Sequence, residues 1–260
     1  MIGVPDDTAT RGETYVYGVV RAAEVPALRT PGVGADPAPV RTVTSGELSA
    51  LVSDVEAGLV RATRADLERH LQVLQEAAAA ATVVPLRFGT VMPGDETVQR
   101  DLLVARAADL ERMLGELTGR VELSLKGTYE ESVLAEVVRE RRDIAQLRER
   151  VRGADEAATY YERIRLGELV ADAMAAKREE DTERILAPLR PLADDLRLGD
   201  LTHERSVLSA AFLVRRERIE EFDGAADKVA SAQEGRIRFR YAGPLPPYSF
   251  VRTEEGAPWG

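Results

Sequence analysis

Cysteine is absent from the 260 residues, which excludes disulfides, thiolate metal ligands and cysteine nucleophiles and fits a reducing compartment. Histidine is scarce. Its two occurrences, His70 and His203, leave the chain short of the commonest general base and metal ligand, and neither has the neighbours that a zinc site needs. His70, between Arg69 and Leu71 in a helical pattern, is expected at a helix surface or boundary; His203, beside Glu204, reads as a turn residue. No Gly-Lys pair follows a glycine-rich turn and no G-x-G-x-x-G stands between strand and helix, so nucleotide binding is disfavoured. Long apolar runs are missing too. Residues 77–86 form the least polar stretch, but Thr82 and Pro85 interrupt it, and it falls short of the roughly 18 residues a membrane helix needs. Residues 1–8 carry Asp6 and Asp7 and no apolar segment of the signal-peptide kind. A cytosolic, soluble protein without cofactor or metal is expected.

What the chain does contain is acid. A net charge of −10 and a pI near 5.0 give a surface that repels nucleic-acid phosphates and anionic lipids, so neither nucleic acid nor membrane is an expected partner. With 44% hydrophobic residues over 260 positions, two domains with real cores are expected.

Periodicity orders these domains. Residues before Gly12 read as disordered, and Tyr15 to Val20 then form a strand apolar on both faces, hence interior. Four prolines and two glycines between Val25 and Pro39 mark a surface loop. Short strands follow at 40–43 and 48–52. Thr63 can cap a helix whose apolar face is Leu67, Leu71, Leu74, Ala78 and Ala81. Val83 to Thr90 reads as a short, irregular strand because Pro85 and Gly89 interrupt it. A helix from Gly94 to Gly119 uses Leu103, Ala107, Leu110, Leu114 and Leu117. Beyond it, Val121, Leu123 and Leu125 alternate with Glu122, Ser124 and Lys126 in a strand with one wet face. Helices then cover most of 132–196, broken at Gly153 and ended or kinked by Pro188 and Pro191. A buried strand at 207–214, an amphipathic helix through Ile219, Phe222, Ala226 and Val229, and a strand through Ile237, Phe239 and Tyr241 complete the chain. This second half fits a ferredoxin-like arrangement, an antiparallel sheet with helices on one face and a helical insertion.

Candidate chemistry is sparse. The adjacent carboxylates Glu130–Glu131, Glu179–Glu180 and Asp194–Asp195 read as solvated charge or helix-dipole complements. Strand periodicity places Arg236, Arg238 and Arg240 on one face, either a solvent face paired with acidic helices or a docking surface for an acidic partner. Arg87 and Phe88, beside Gly89, either project toward a partner or anchor their own loop.

The segment G-P-L-P-P-Y-S-F from Gly243 to Phe250 resembles the ending of the gas-vesicle F/L family of accessory proteins. T-Y-V-Y-G-V-V from Thr14, V-V-P-L-R-F-G-T-V from Val83, V-E-L-S-L-K-G-T-Y from Val121 and R-L-G-E-L-V from Arg165 resemble that family in the same order. The resemblance implies an α/β (α+β) protein of two domains, residues 1–118 and a modified ferredoxin-like domain at 119–243, with a tail at 244–260. It also implies a non-enzymatic role in gas vesicle assembly, in the cytoplasm and on the vesicle, binding the small hydrophobic shell protein and other accessory proteins. In the tail, Tyr248 and Phe250 are the candidate contact residues, with packing on the protein's own domain expected over recognition by another protein. The rival reading is a ligand-sensing module or enzyme built on the ferredoxin-like sheet.

Overall fold

The computed structural model describes residues 12–56 and 63–251; the expectations for residues before Gly12 lie outside them. Two compact units divide the chain, Met1–Glu122 together with Pro244–Gly260, and Leu123–Gly243.

The first unit is organised around β1 (Glu13–Arg21), buried from Thr14 through Val20. One side of β1 pairs with β3 (Leu48–Val55), which pairs in turn with β2 (Arg41–Ser45), both antiparallel. Its other side is shared by two short antiparallel strands, β4 (Val84–Pro85) and β5 (Val91–Met92), separated by the loop that holds Arg87 and Phe88. The expected irregular strand is thus two fragments held by one partner. Pro85 lies opposite Gly18, where a Cβ would come within 2.8 Å of the Val84 carbonyl oxygen.

Helix α1 (Arg64–Ala80) starts as expected, with Thr63 Oγ1 accepting from the Asp66 N–H at 3.1 Å. Its inner face differs. Asp66, His70, Val73, Leu74 and Ala77 are buried, while Leu67 and Leu71 remain 42% and 37% exposed. The buried stripe is rotated by somewhat less than the ~100° between successive residues, because two polar side chains with internal partners take positions that an apolar count gives to leucine. The Pro-Gly loop is more than a surface excursion: Val33 is buried, Asp66 accepts from the Gly34 N–H, and Glu76 accepts from the Arg29 and Thr30 N–H groups. The expected 94–119 helix is segmented into α2 (Asp95–Thr97), a π-helical stretch at Val98–Val104 and α3 (Ala107–Leu117), with Gly119 at φ +71° beyond its end.

Strand β6 (Arg120–Tyr129) begins in the first unit, enters the second at Leu123 and leads to α4 (Ser132–Glu140), α5 (Arg142–Val151) and the long α6 (Tyr160–Leu186). Strands β7 (Asp195–Leu198) and β8 (Ser206–Arg215), helix α7 (Ile219–Ala232) and β9 (Ile237–Leu245) follow. The sheet order β7-β8-β6-β9 is that of a ferredoxin-like β-α-β-β-α-β unit. Strand β7 escaped the sequence reading, and Glu122, expected on a wet face, is buried.

Gly18→Ala should lower stability by about 1–3 kcal/mol through the clash with the β4 backbone. Gly115→Ala on α3, where a Cβ meets nothing within 4 Å, should be neutral or add about 0.5–1 kcal/mol. Urea denaturation of both variants checks this, and equal effects would contradict the close approach.

Candidate functional site

The densest polar cluster of the first unit is built on a period of two. Tyr15 and Tyr17 of β1 are fully buried, their ring centroids 4.8 Å apart, and a buried phenol needs a partner for its hydroxyl. Tyr17 Oη accepts from the Val33 N–H at 2.8 Å and bonds Ser53 Oγ at 2.9 Å. Tyr15 Oη accepts from the Gly89 N–H at 2.9 Å and meets His70 Nδ1 at 2.9 Å. The other imidazole nitrogen, Nε2, lies 2.6 Å from Tyr248 Oη. The ring stacks against Tyr17 and meets Phe88 edge-on, both at 5.6 Å between centroids.

His70 is therefore buried, contrary to the expected helix surface, because both ring nitrogens find partners inside. Burial pushes its pKa down to about 4, opposed by a hydrogen bond to the Leu86 backbone. Burial also raises Tyr15 and Tyr248 above the usual phenol range. At neutral pH the trio is uncharged, a bridge of neutral hydrogen bonds from β1 through α1 to the tail.

A second anchor holds the next residue. Glu122 accepts from both the N–H and the Oγ–H of Ser249 at 2.9 Å; burial raises its carboxyl pKa while these bonds pull it down. Pro246, Pro247 and Val251 are buried on either side. Aromatic burial contributes about 1.5–3 kcal/mol per ring, against about 1–2 kcal/mol of backbone entropy per ordered residue. The Glu122 and His70 bonds, together with prolines that have little freedom to lose, fix the segment.

The sequence-derived candidates separate into two groups. Phe88, Tyr248 and Phe250 are half-buried, the first two packed on the core that contains Tyr15 and Tyr17. Arg236 is half-buried in the second unit, bonded to Glu136 at 3.0 Å, to the fully buried Asp181 at 3.2 Å, and to Gln233. Asp181 also accepts from Tyr129 Oη at 3.0 Å and Arg184 at 2.7 Å. Arg87, Arg238 and Arg240 are exposed; Arg238 pairs with Glu130 at 2.9 Å, and the Arg87 carbonyl accepts from Thr90. Sequence reasoning missed His70, Glu122, Ser249 and Asp181. The available signal was the Tyr15–Tyr17 pair on a strand buried on both faces, which demands polar partners nearby. Among the described residues, no group of three or more His, Asp or Glu side chains is placed to hold a metal ion.

Residues 13–252 match the family model described as gas vesicle synthesis protein GvpL/GvpF. Gas vesicle protein F of a Streptomyces species is 38% identical over 241 residues, spanning 92% of this chain and 99% of that protein. Gas vesicle protein F of a Nostoc species is 30% identical, over 78% of this chain and 83% of that protein. The crystal structure of GvpF from an Anabaena species has a TM-score of 0.80 at 28% identity, covering 94% of this chain and 99% of that one.

The cluster generates a pH dependence of defined sign. His70 has a folded pKa of about 4 against 6.5 for a free imidazole, so the unfolded chain takes up the proton first as pH falls. Its contribution is full above pH 6.5 and is lost progressively between 6.5 and 4. Between pH 7 and 5 the loss should be about 2 kcal/mol, and His70→Gln should lose less over the same interval in urea titrations. Parallel pH curves for the two proteins would refute the assignment. Tyr248→Phe, which removes the hydroxyl bonded to the buried imidazole Nε2, should cost about 1–3 kcal/mol at pH 7.

Proposed function

Because the chain belongs to the GvpL/GvpF family of gas vesicle synthesis proteins, we propose that it serves gas vesicle assembly by offering folded surface to other proteins. Its partners are the small hydrophobic shell protein and other accessory proteins, met in the cytoplasm and on the vesicle. The role is non-catalytic.

The observation that carries this reading is the placement of large apolar side chains in water. Leu67 and Leu71 on α1, Leu134 on α4, Tyr160, Tyr161 and Ile164 on α6, and Leu201 before β8 are all exposed. The enclosed titratable groups, by contrast, are occupied: His70 by two tyrosines, Glu122 by Ser249, Asp181 by Tyr129 and two arginines. A shell subunit that excludes water on its gas side exposes apolar surface before assembly, and a partner covering that surface delays aggregation. Net charge of −10 disfavours self-association of the resulting complexes. On this reading Arg87, Arg238 and Arg240 supply exposed cations to partners, while Phe88, Arg236, Tyr248 and Phe250 hold the presenting surface in place. No helix among the described residues is long and apolar enough to cross a membrane.

Immobilised full-length chain should retain purified shell protein, and separate assays with each accessory protein should identify further partners. Retention of accessory proteins without shell protein would indicate an adaptor instead, and retention of neither would remove the proposal.

A further inference from the structure

Residues 246–251 follow the end of β9 and pair with no strand. Two of these six residues are proline, and the four backbone N–H groups that remain are all accounted for. Tyr248, Phe250 and Val251 donate within the segment, to the carbonyls of Pro246, Pro247 and Tyr248 at 2.8, 3.1 and 3.4 Å, and Ser249 donates to the Glu122 carboxylate at 2.9 Å. None of the four is a rung of a β-ladder, so the segment can leave without breaking one. Its grip is made by side chains. Pro246, Pro247 and Val251 are buried, Tyr248 Oη meets His70 Nε2, and Ser249 Oγ donates to Glu122. A segment attached in this manner opens at a lower free energy than the ladders it rests on.

The seat that receives it is built from other parts of the first unit. Tyr15 Oη holds His70 Nδ1 at 2.9 Å and Tyr17 stacks on the ring at 5.6 Å between centroids, so Nε2 keeps its aim when Tyr248 departs. Phe88 meets the same ring edge-on, and Tyr15, Tyr17, His70 and Phe88 make an aromatic floor of the kind on which proline-rich segments dock. Consecutive residues are read by different groups, the long aromatic hydroxyl by imidazole and the short one by the buried carboxylate of Glu122. An empty seat leaves both groups short of a partner, which favours capture of a segment that carries both hydroxyls. Prolines ahead of them lower the entropy lost on docking.

We propose that residues 246–251 are a releasable strap, and that the seat they vacate binds a Pro-Pro-Tyr-Ser segment of a partner protein through the contacts the strap makes in cis. The closed strap competes with the partner, so the site is latent in the resting chain and its apparent affinity is lowered by the closed fraction. Binding at this seat needs no shell protein, so its test stands apart from that of the assembly role.

Full-length chain is titrated into a fluorescent peptide with the sequence of residues 244–251, and anisotropy gives the affinity. Tyr248→Phe combined with Ser249→Ala removes the strap's hydroxyls while the peptide keeps both, so this double variant should bind at least about tenfold more tightly than the wild-type chain. A peptide with phenylalanine and alanine at those two places should bind the double variant about tenfold more weakly. Glu122→Gln, added to the double variant, should shrink that difference; the two-peptide comparison stands without it where it fails to fold. In the wild-type chain, hydrogen exchange should find the Ser249 amide at least about tenfold less protected than the paired amides of β1. Equal binding by the wild-type chain and the double variant, binding by neither, or Ser249 protection equal to that of β1 overturns the strap. Equal affinity for the two peptides overturns the chemistry assigned to the seat. A concentration-dependent wild-type dimer that the peptide dissolves overturns the choice of a partner protein in favour of a second copy of this chain.

Discussion

The first unit depends on the burial of one imidazole. His70 lies between two phenols, one on the central strand and one in the segment Tyr248–Phe250, and its two nitrogens join pieces of sequence separated by 55 and 178 positions. A neutral histidine suits the task because it offers one donor and one acceptor in a rigid plane. Leucine at position 70 would fill the volume but take away the imidazole partner of the Tyr248 hydroxyl and leave Tyr15 Oη with the Gly89 N–H alone. This polar junction sits inside an apolar shell of Val73, Leu74, Ala77 and Val83, where low polarity strengthens the bonds and raises the cost of an unpaired group.

The second unit solves a comparable problem with charge. Asp181 is fully buried and receives Tyr129, Arg184 and Arg236. Tyr129 ends β6, Asp181 and Arg184 belong to α6, and Arg236 precedes β9, so a single carboxylate relates the helical insertion to two strands of the sheet. Removing one partner from such a site is far more disruptive than the pair's net contribution suggests, because the remaining charges stay desolvated. Lys177 adds a further link to the Glu136 that Arg236 also contacts.

Elements whose pattern reflects burial alone were legible in the sequence. Strand β1, the helix cap at Thr63, the alternation of β9 and the ferredoxin-like order of the second half follow from period and punctuation. The failures share a cause. The inner face of α1 was misplaced because Asp66 and His70 count as polar until their distant partners are known, and Glu122 was assigned to solvent for the same reason. Strand β7 is four residues with two charges and owes its conformation to pairing with β8. The division of 94–119 at a π-helical stretch has no marker in composition. Arg236, Arg238 and Arg240 were grouped by period, but the structure gives them different surroundings, one within an ion-pair network and two at the surface.

The pairing of β1 with two fragments carries a consequence for behaviour in a crowded cell. An uninterrupted outer strand is a template on which other chains extend a sheet, and proteins suppress this with short edges and proline. Here the outer strand beside β1 is cut into two-residue pieces, one of which ends in Pro85. On this side of β1 the sheet thereby withholds the backbone ladder along which cross-β growth would propagate, whereas β2 at the opposite edge is uninterrupted.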